Sequence, residues 1–196
     1  MSVAPSQGER LLAAAIGQIR RHGAKRVTVV SVAAEAGMTH ANVYRYYASK
    51  AALFDAVSTA WLKRIEDQIR DISDSPDPAH DKLERIVLTA ARAYRNLAEA
   101  DPEVFELFVE AYAKGRPAAR RHRARLRDLL ERVIDEGVSG GAFQLARGPA
   151  LALILDASHR FWTPPSIRAD RDQPPASIER RLELILRGAL AVIRRG

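Results

Sequence analysis

The sequence predicts an all-α protein, and three observations lead to that prediction. Apolar residues recur at steps of three and four along nearly the whole chain, and no segment alternates convincingly between apolar and polar residues. Typical cap residues flank these segments, with Ser, Thr or Asp before them and Gly after them. These caps divide the chain into about nine helices. A hydrophobic content of 47% over 196 residues is sufficient for a packed core.

The first predicted helix is amphipathic and ends at His22 and Gly23. Its apolar stripe consists of Leu11, Leu12, Ala15, Ile16 and Ile19. The preceding leader, MSVAPSQGER, lacks the apolar core of a signal peptide. We therefore expect residues 1–10 to form a short frayed arm.

Residues that can cap helix starts precede three further helices. These caps are Thr28, Thr39 and Ser49. The second helix is predicted to end at Ala36, with Gly37 in the left-handed position that follows a helix. The third is short, and the fourth carries an apolar stripe over about six turns that ends at Ile72. The segment SDSPDP at 73–78 is the predicted linker.

Five helices are expected after the linker. They cover the apolar patterns at 83–97, 101–112, 126–134, 148–163 and 177–194. Asp101 is predicted as an N-cap, because Pro102 suits the first helical position and Glu103 suits the first turn. Pro164 and Pro165 are expected to end the eighth helix and to begin a loop.

Composition excludes several classes of protein. The chain has no cysteine, which removes disulfide scaffolds, thiolate metal sites and cysteine nucleophiles, and no run of about 18 apolar residues that would span a membrane. We expect a cytoplasmic protein with no membrane partner and no cofactor or metal. The formal net charge of +7 is compatible with a nucleic-acid partner but does not establish one.

One short stretch points to such a partner. GMTHANVYRYYASK concentrates three of the five tyrosines of the chain beside Arg45 and Lys50. A helix, a turn containing Gly37 and a second short helix predict helix-turn-helix geometry. On the second helix, Asn42 can pair with adenine, Arg45 with guanine, and Ala41 can contact a thymine methyl group. Tyrosine hydroxyls and Lys50 suit phosphates, although Tyr44 can also pack beneath the helix and Tyr47 is expected to do so.

The segment TVVSVAAEAGMTHANVYRYYASKAALFDAV resembles the DNA-binding segment of the tetracycline-repressor (TetR) family of bacterial regulators. The resemblance rests on the Thr-initiated helix, Ala-x-x-Ala-Gly, the Tyr-x-Tyr-aromatic ending and Ser-Lys-x-x-Leu. It implies a DNA-binding domain at 6–66, with its helix-turn-helix at 28–47, and a ligand-binding and dimerisation domain at 73–196. Ala41 and Ala51 depart from the family pattern, which usually has Gly and often an acidic residue there.

The resemblance also implies roles for individual residues. The family reads bases at positions that match His40, Ala41, Asn42 and Arg45. It holds phosphates at positions that match Thr28, Tyr44, Tyr46 and Lys50. The implied partners are a palindromic operator in double-stranded DNA, a second copy of the chain and a small, largely apolar effector. A repressor is expected, with an activator or a ligand-independent regulator as the alternative.

The C-terminal half suggests how such a regulator would dimerise and sense a ligand. The last helix is apolar nearly all round, which two buried faces would explain. The dimer interface is predicted at Leu182, Leu186, Gly188, Ala189 and Ile193. A ligand cavity is predicted among side chains that are equally compatible with an ordinary core: Tyr94, Phe105, Phe108, Tyr112, His159, Phe161 and Trp162.

Other functions find less support in the sequence. A helical enzyme is the main alternative class, but the five histidines are scattered and no phosphate loop or nucleophile motif occurs. Asp156 and His159 are the nearest approach to a catalytic pair, and we expect no catalytic residue. The basic run at 114–127 is interpreted as a solvated helix face rather than as a second nucleic-acid surface. It lacks the exposed apolar half that a membrane-surface helix needs.

Overall fold

The computed structural model describes residues 5–196, which form ten helices and no strand. The all-α prediction is confirmed. The helices are α1 (Gln7–His22), α2 (Val29–Glu35), α3 (His40–Tyr46), α4 (Lys50–Ser73), α5 (Ala79–Ala100), α6 (Pro102–Ala113), α7 (Pro117–Ser139), α8 (Arg147–Trp162), α9 (Pro164–Ala169) and α10 (Pro175–Arg195).

The tenth helix is α9, which lies where the sequence predicted a loop. Pro164 and Pro165 occupy its first turn, where the missing proline N–H groups would have no intrahelical partner in any case. The two prolines therefore end α8 and also begin α9. The sequence-based prediction included the end of α8 but not the start of α9.

Two helices begin earlier than their apolar stripes indicated. In α1, Ser6 and Glu9 form a capping box, so residues 7–10 are helical rather than frayed. The remainder of the predicted arm, residues 1–4, lies outside the described residues. Helix α7 starts at Pro117, a favourable first position, and therefore includes most of the basic run.

The chain forms two compact units, and the first contains the helix-turn-helix. It combines the residues up to Leu62 with Glu99–Arg121. In this unit α1 packs against α2 and α6, and α2 packs against α3. The core side chains include Leu11, Ile19, Val32, Val43, Leu53 and Phe105.

The second unit combines Lys63–Ala98 with His122–Gly196. Its main helix pairing is between α8 and α10, and α9 packs against α8. The most deeply buried side chains include Ile69, Leu83, Ile86, Leu130, Ile134 and Leu186. The two units cut across the division at 73–78 that the sequence suggested, because α6 packs in the first unit although it follows the linker.

Within residues 5–196, no helix is long and apolar enough to cross a membrane. No group of three or more His, Asp or Glu side chains in the same range is arranged to hold a metal ion.

Candidate nucleic-acid interface

Helices α2 and α3 are each bounded by local hydrogen bonds that the sequence predicted. The hydroxyl of Thr28 accepts the backbone N–H of Ser31 at 3.0 Å, and that of Thr39 accepts the N–H of Asn42 at 3.4 Å. At the end of α2, Gly37 has φ +66°. Its N–H and that of Met38 bond back to the last turn of α2, which is the arrangement that glycine favours after a helix. These bonds fix the turn between the two helices.

A contact that the sequence did not predict anchors the start of α2 to α1. Gln18 on α1 is buried, and its side chain bonds twice to Ser31. Its Nε2 donates to the carbonyl of Ser31 at 2.8 Å, and its Oε1 accepts the hydroxyl of Ser31 at 2.6 Å. Arg21 also bonds to Glu35 at the end of α2, and this hydrogen bond lowers the pKa of the carboxyl group. Polar residues inside an apolar stripe are the only sequence signal for such an anchor.

Helix α3 buries a single side chain and exposes most of the others. Val43 points into the first unit and is 1% exposed. His40, Ala41 and Arg45 are exposed, and Asn42 is half-exposed. Among the described residues Arg45 has no ion pair, so its guanidinium group is available to an external acceptor. The four predicted base-reading residues thus lie on one short helix, with polar or small groups directed away from the core.

The three tyrosines have different environments. Tyr47 is half-buried, which raises the pKa of its phenol, and its hydroxyl donates to the carbonyl of Gly8 at 3.3 Å. Tyr44 and Tyr46 are 46% and 47% exposed. The Tyr46 hydroxyl donates to the side chain of Gln7 at 2.8 Å, whereas the Tyr44 ring meets His40 edge-on at 4.9 Å. Of the three hydroxyl groups, only that of Tyr44 forms no hydrogen bond with another described residue.

Lys50 is the first residue of α4, and Ser49 precedes it as the predicted cap. The Ser49 hydroxyl accepts the N–H of Ala52 at 3.1 Å. The Lys50 ammonium lies 5.0 Å from the centre of the Phe54 ring and forms no ion pair with any described residue. The positive end of the α4 dipole and this unpaired ammonium group both favour an anion at the same place.

The basic run at 114–127 carries seven Lys and Arg residues, and acidic groups among the described residues hold at least four of them in ion pairs. These pairs are Lys114–Glu110, Arg116–Asp55, Arg125–Glu66 and Arg127–Glu131. Cations that already have acidic partners are poor phosphate ligands. The pairing favours the interpretation of this run as an ordinary helix face.

The seven residues predicted for a ligand cavity are divided between the two units. In the first unit, Phe105 and Phe108 are at most 1% exposed and lie about 6 Å from the Trp61 ring, centre to centre, with Tyr112 half-buried beside Phe108. In the second unit, Tyr94, Phe161 and Trp162 are buried, whereas His159 is exposed. No described hydrogen bond joins His159 to Asp156, which is also exposed.

A buried polar network in the second unit was not predicted. Glu66 on α4 and His122 on α7 are 4% and 2% exposed in their side chains. The His122 Nδ1 lies 2.7 Å from the Glu66 carboxylate, Arg125 bonds the other carboxylate oxygen at 2.6 Å, and the Tyr94 hydroxyl bonds to the His122 Nε2. Burial alone would raise the pKa of Glu66, but the bonds from His122 and Arg125 outweigh it and hold the pKa below its usual value.

Replacing Glu66 by glutamine is expected to lower the free energy of unfolding by about 1–3 kcal/mol at neutral pH, because the buried network loses a charged acceptor. The carboxylate with the lowered pKa stabilises the folded state above its usual pKa of 4.5, and this contribution is lost as the pH falls through the lower folded value. The difference in the free energy of unfolding between the wild type and Glu66→Gln should therefore become smaller at acidic pH. Urea unfolding at neutral and acidic pH measures this difference. Glu131→Gln, which alters an exposed pair with Arg127, should change little.

The predicted dimer residues lie on two faces of α10. Leu182, Leu186, Ala189 and Ile193 are buried within the chain itself, on the inner face of the helix. Gly188 is exposed, with open space where a Cβ would lie. The outer face of the helix instead presents Leu184, Ile185 and Val192, which are 60%, 45% and 50% exposed. Both faces are apolar, so the sequence alone did not distinguish inside from outside.

Comparison with protein families identifies both halves of the chain. Residues 11–57 match the family model described as bacterial regulatory proteins of the tetR family, and residues 79–185 match the model described as the tetracyclin repressor-like C-terminal domain. No curated protein sequence matches the chain significantly.

Solved structures share the fold over nearly the full length. A putative TetR-family transcriptional regulator from Mesorhizobium loti is 17% identical, with a TM-score of 0.69, covering 95% of this chain and 96% of that chain. The fatty acid degradation regulator FadR from Bacillus halodurans is 17% identical, with a TM-score of 0.64, covering 100% and 98%. FadR from Bacillus subtilis in complex with stearoyl-CoA is 14% identical, with a TM-score of 0.62, covering 95% and 97%.

Proposed function

Because the chain belongs to the tetracycline-repressor (TetR) family of bacterial transcription regulators, we propose that it is a repressor that binds a palindromic operator as a homodimer. The observation that carries the proposal is the outer face of α3. This face presents His40, Ala41, Asn42 and Arg45 to solvent, and Lys50, at the start of the next helix, has no ion pair within residues 5–196. Members of this family are DNA-binding regulators, and we assign no catalytic activity to the chain.

The division of roles follows from chemistry. Asn42 and Arg45 carry the forked donors and acceptors that recognise base edges in the major groove, and His40 and Ala41 complete the reading surface. Thr28, Tyr44, Tyr46 and Lys50 would fix the position of the helix by contacting phosphates. Gln18 contributes indirectly, because it holds Ser31 and with it the start of α2.

Dimerisation would use the outer face of α10. Leu184, Ile185 and Val192 are large apolar side chains whose exposure in the single chain favours burial against a second copy. Two reading heads related by a two-fold axis suit two half-sites of a palindrome. Gly188 lies on this outer face, where the absence of a side chain would let two helices approach closely.

A small, largely apolar effector would release the protein from its operator by binding more tightly to a conformation that does not fit DNA. The buried aromatic residues of both units are the candidates for its contacts. The Bacillus subtilis FadR binds stearoyl-CoA, whose acyl chain is apolar although its coenzyme A part is large and strongly anionic. Long-chain fatty acids and their acyl-CoA thioesters are therefore the first compounds to test, and a comparison of the two shows whether the apolar chain alone is sufficient.

Selection from a pool of random DNA duplexes tests the proposal. We expect the purified protein to enrich a palindrome whose half-sites lie about one helical turn apart, or a multiple of it. Binding that enriches no sequence would contradict the assignment of α3 to base reading. Acyl-CoA thioesters added to the selected complex should then lower its affinity.

Replacing Lys50 by alanine should weaken binding to the operator and to random DNA about equally, because a phosphate contact carries no sequence information. The magnitude of the slope of log affinity against log salt should fall by roughly 1. Titrations at several salt concentrations measure both effects. Lys63→Ala on the same helix removes a lysine that is paired with Asp67 and should leave the slope unchanged. An unchanged slope in Lys50→Ala would exclude the phosphate role.

A further inference from the structure

The first unit contains a cavity of about 340 Å³ at the start of α4, which lies within the size range of small-molecule sites. Its buried lining residues are Leu107, Ala111 and Ser58. Phe54 and Ala51 add further apolar surface. The remaining lining residues are Ala24, Lys25, Lys50, Asp55, Glu110 and Arg116.

The buried end of this cavity offers an occupant no polar group. Ser58 is 1% exposed, and its hydroxyl oxygen is fully buried. An occupant would therefore meet apolar surface there, which Leu107 and Ala111 provide.

The charges around the cavity favour an anion. Both acidic lining residues are already engaged, Asp55 by Arg116 at 3.0 Å and Glu110 by Lys114. Lys25 and Lys50 have no ion pair among the described residues. Lys50 also stands at the positive end of the α4 dipole.

We infer that this cavity binds a compact organic anion, one with a small apolar body and a single carboxylate group. Lys25 and Lys50 hold the carboxylate, and Phe54 and Leu107 contact the apolar body. The apolar surface disfavours a bare inorganic ion, and the volume excludes a long acyl chain. The site lies in the unit that contains the helix-turn-helix, and its existence does not depend on DNA binding.

Benzoate is a suitable probe for the full-length protein without DNA. We expect it to bind with a dissociation constant on the order of 1 mM, as befits so few atoms, and we expect neutral benzyl alcohol and sulfate to bind at least about tenfold more weakly. Saturation-transfer NMR and calorimetry measure these affinities. Equal binding of benzoate and benzyl alcohol would overturn the anion site, as would equal binding of benzoate and sulfate or no binding of benzoate.

Two neighbouring alanines provide a matched pair of variants. Ala51 lines the cavity and Ala52 does not, and both are half-buried on α4. Ala51→Leu should fill the cavity and weaken benzoate binding about tenfold or more, whereas Ala52→Leu should bind like the wild type. Lys25→Gln should weaken benzoate binding about two- to fivefold, because one of the two cations is lost. Circular dichroism verifies that each variant is folded. A folded Ala51→Leu variant that binds benzoate as tightly as the wild type would overturn the location.

The effect on DNA rests on the proposed phosphate role of Lys50. A carboxylate on that ammonium group competes with phosphate, so saturating benzoate should lower the DNA affinity of the wild type more than that of Ala51→Leu. If the protein binds benzoate but never DNA, the proposed function fails and the site stands. If it binds DNA but not benzoate, the site fails and the proposed function stands.

Discussion

Replacing Ile185 by aspartate is expected to convert the protein from a dimer to monomers and to reduce operator affinity by about 10²–10⁴-fold. Ile185 is 45% exposed on the outer face of α10, between Leu184 and Gly188. A carboxylate placed there would lose its hydration in the proposed interface without gaining a partner. The large effect on DNA follows because two linked reading heads bind much more tightly than one. Sedimentation at micromolar concentration and operator titration measure the two effects.

Val138→Asp is the matched control for this change. Val138 is also an exposed apolar residue of the second unit, 37% exposed, but it lies on α7. Its replacement should leave both the dimer and the operator affinity intact. A folded Ile185→Asp variant that remains dimeric would show that the outer face of α10 is not the dimer interface.

Gly188→Leu gives a second measurement with two opposing effects. A side chain at this position meets nothing within the chain, so leucine should stabilise the isolated helix by up to about 1 kcal/mol relative to glycine. At an interface the same side chain would separate the two helices. If Gly188→Leu raises the stability of the monomer to urea but lowers the affinity of dimerisation, Gly188 lies at the contact between the two chains.

Replacing Arg45 by alanine is expected to reduce discrimination at one operator base pair by about 1–3 kcal/mol. Its guanidinium group is exposed on α3 and unpaired among the described residues, so the loss should come from base contacts rather than from stability. Asn42→Ala should have an effect of similar size at a different base pair. The measurement compares the affinity for each single-base operator variant with that for random DNA.

Arg64→Ala provides the control for charge. Arg64 is an exposed cation in the middle of α4 and has no place in the proposed reading surface. Its removal should leave the ratio of specific to random binding unchanged. If Arg45→Ala and Asn42→Ala both retain the full ratio, α3 does not read the operator through these residues.

Features set by a few neighbouring residues could be predicted from the sequence. The caps at Thr28, Thr39 and Ser49 were correct because each depends on a hydroxyl group and the N–H two or three residues later. Gly23 and Gly37 were correct for the same local reason, since both adopt positive φ. The helix-turn-helix is built almost entirely from such local signals.

Features set by distant residues could not be predicted. Asp101 occupies the predicted N-cap position of α6, but its carboxylate makes no capping bond and instead pairs with Arg20, 81 residues away. Glu66 and His122 are 56 residues apart, and no local pattern pairs them. The inner and outer faces of α10 are both apolar, and only the packing against α8 distinguishes them.

The pairing of Arg20 with Asp101 has a consequence for building chimaeras with other regulators. Helix α6 belongs by sequence to the C-terminal family domain, yet it packs on α1, and its Phe105 and Phe108 cover Trp61. A graft that took only the residues before the linker would strip this cover and expose apolar surface. Crossover points that respect the packing lie near Leu62, Ala98 and Arg121, so a transplanted reading head must carry α6 with it.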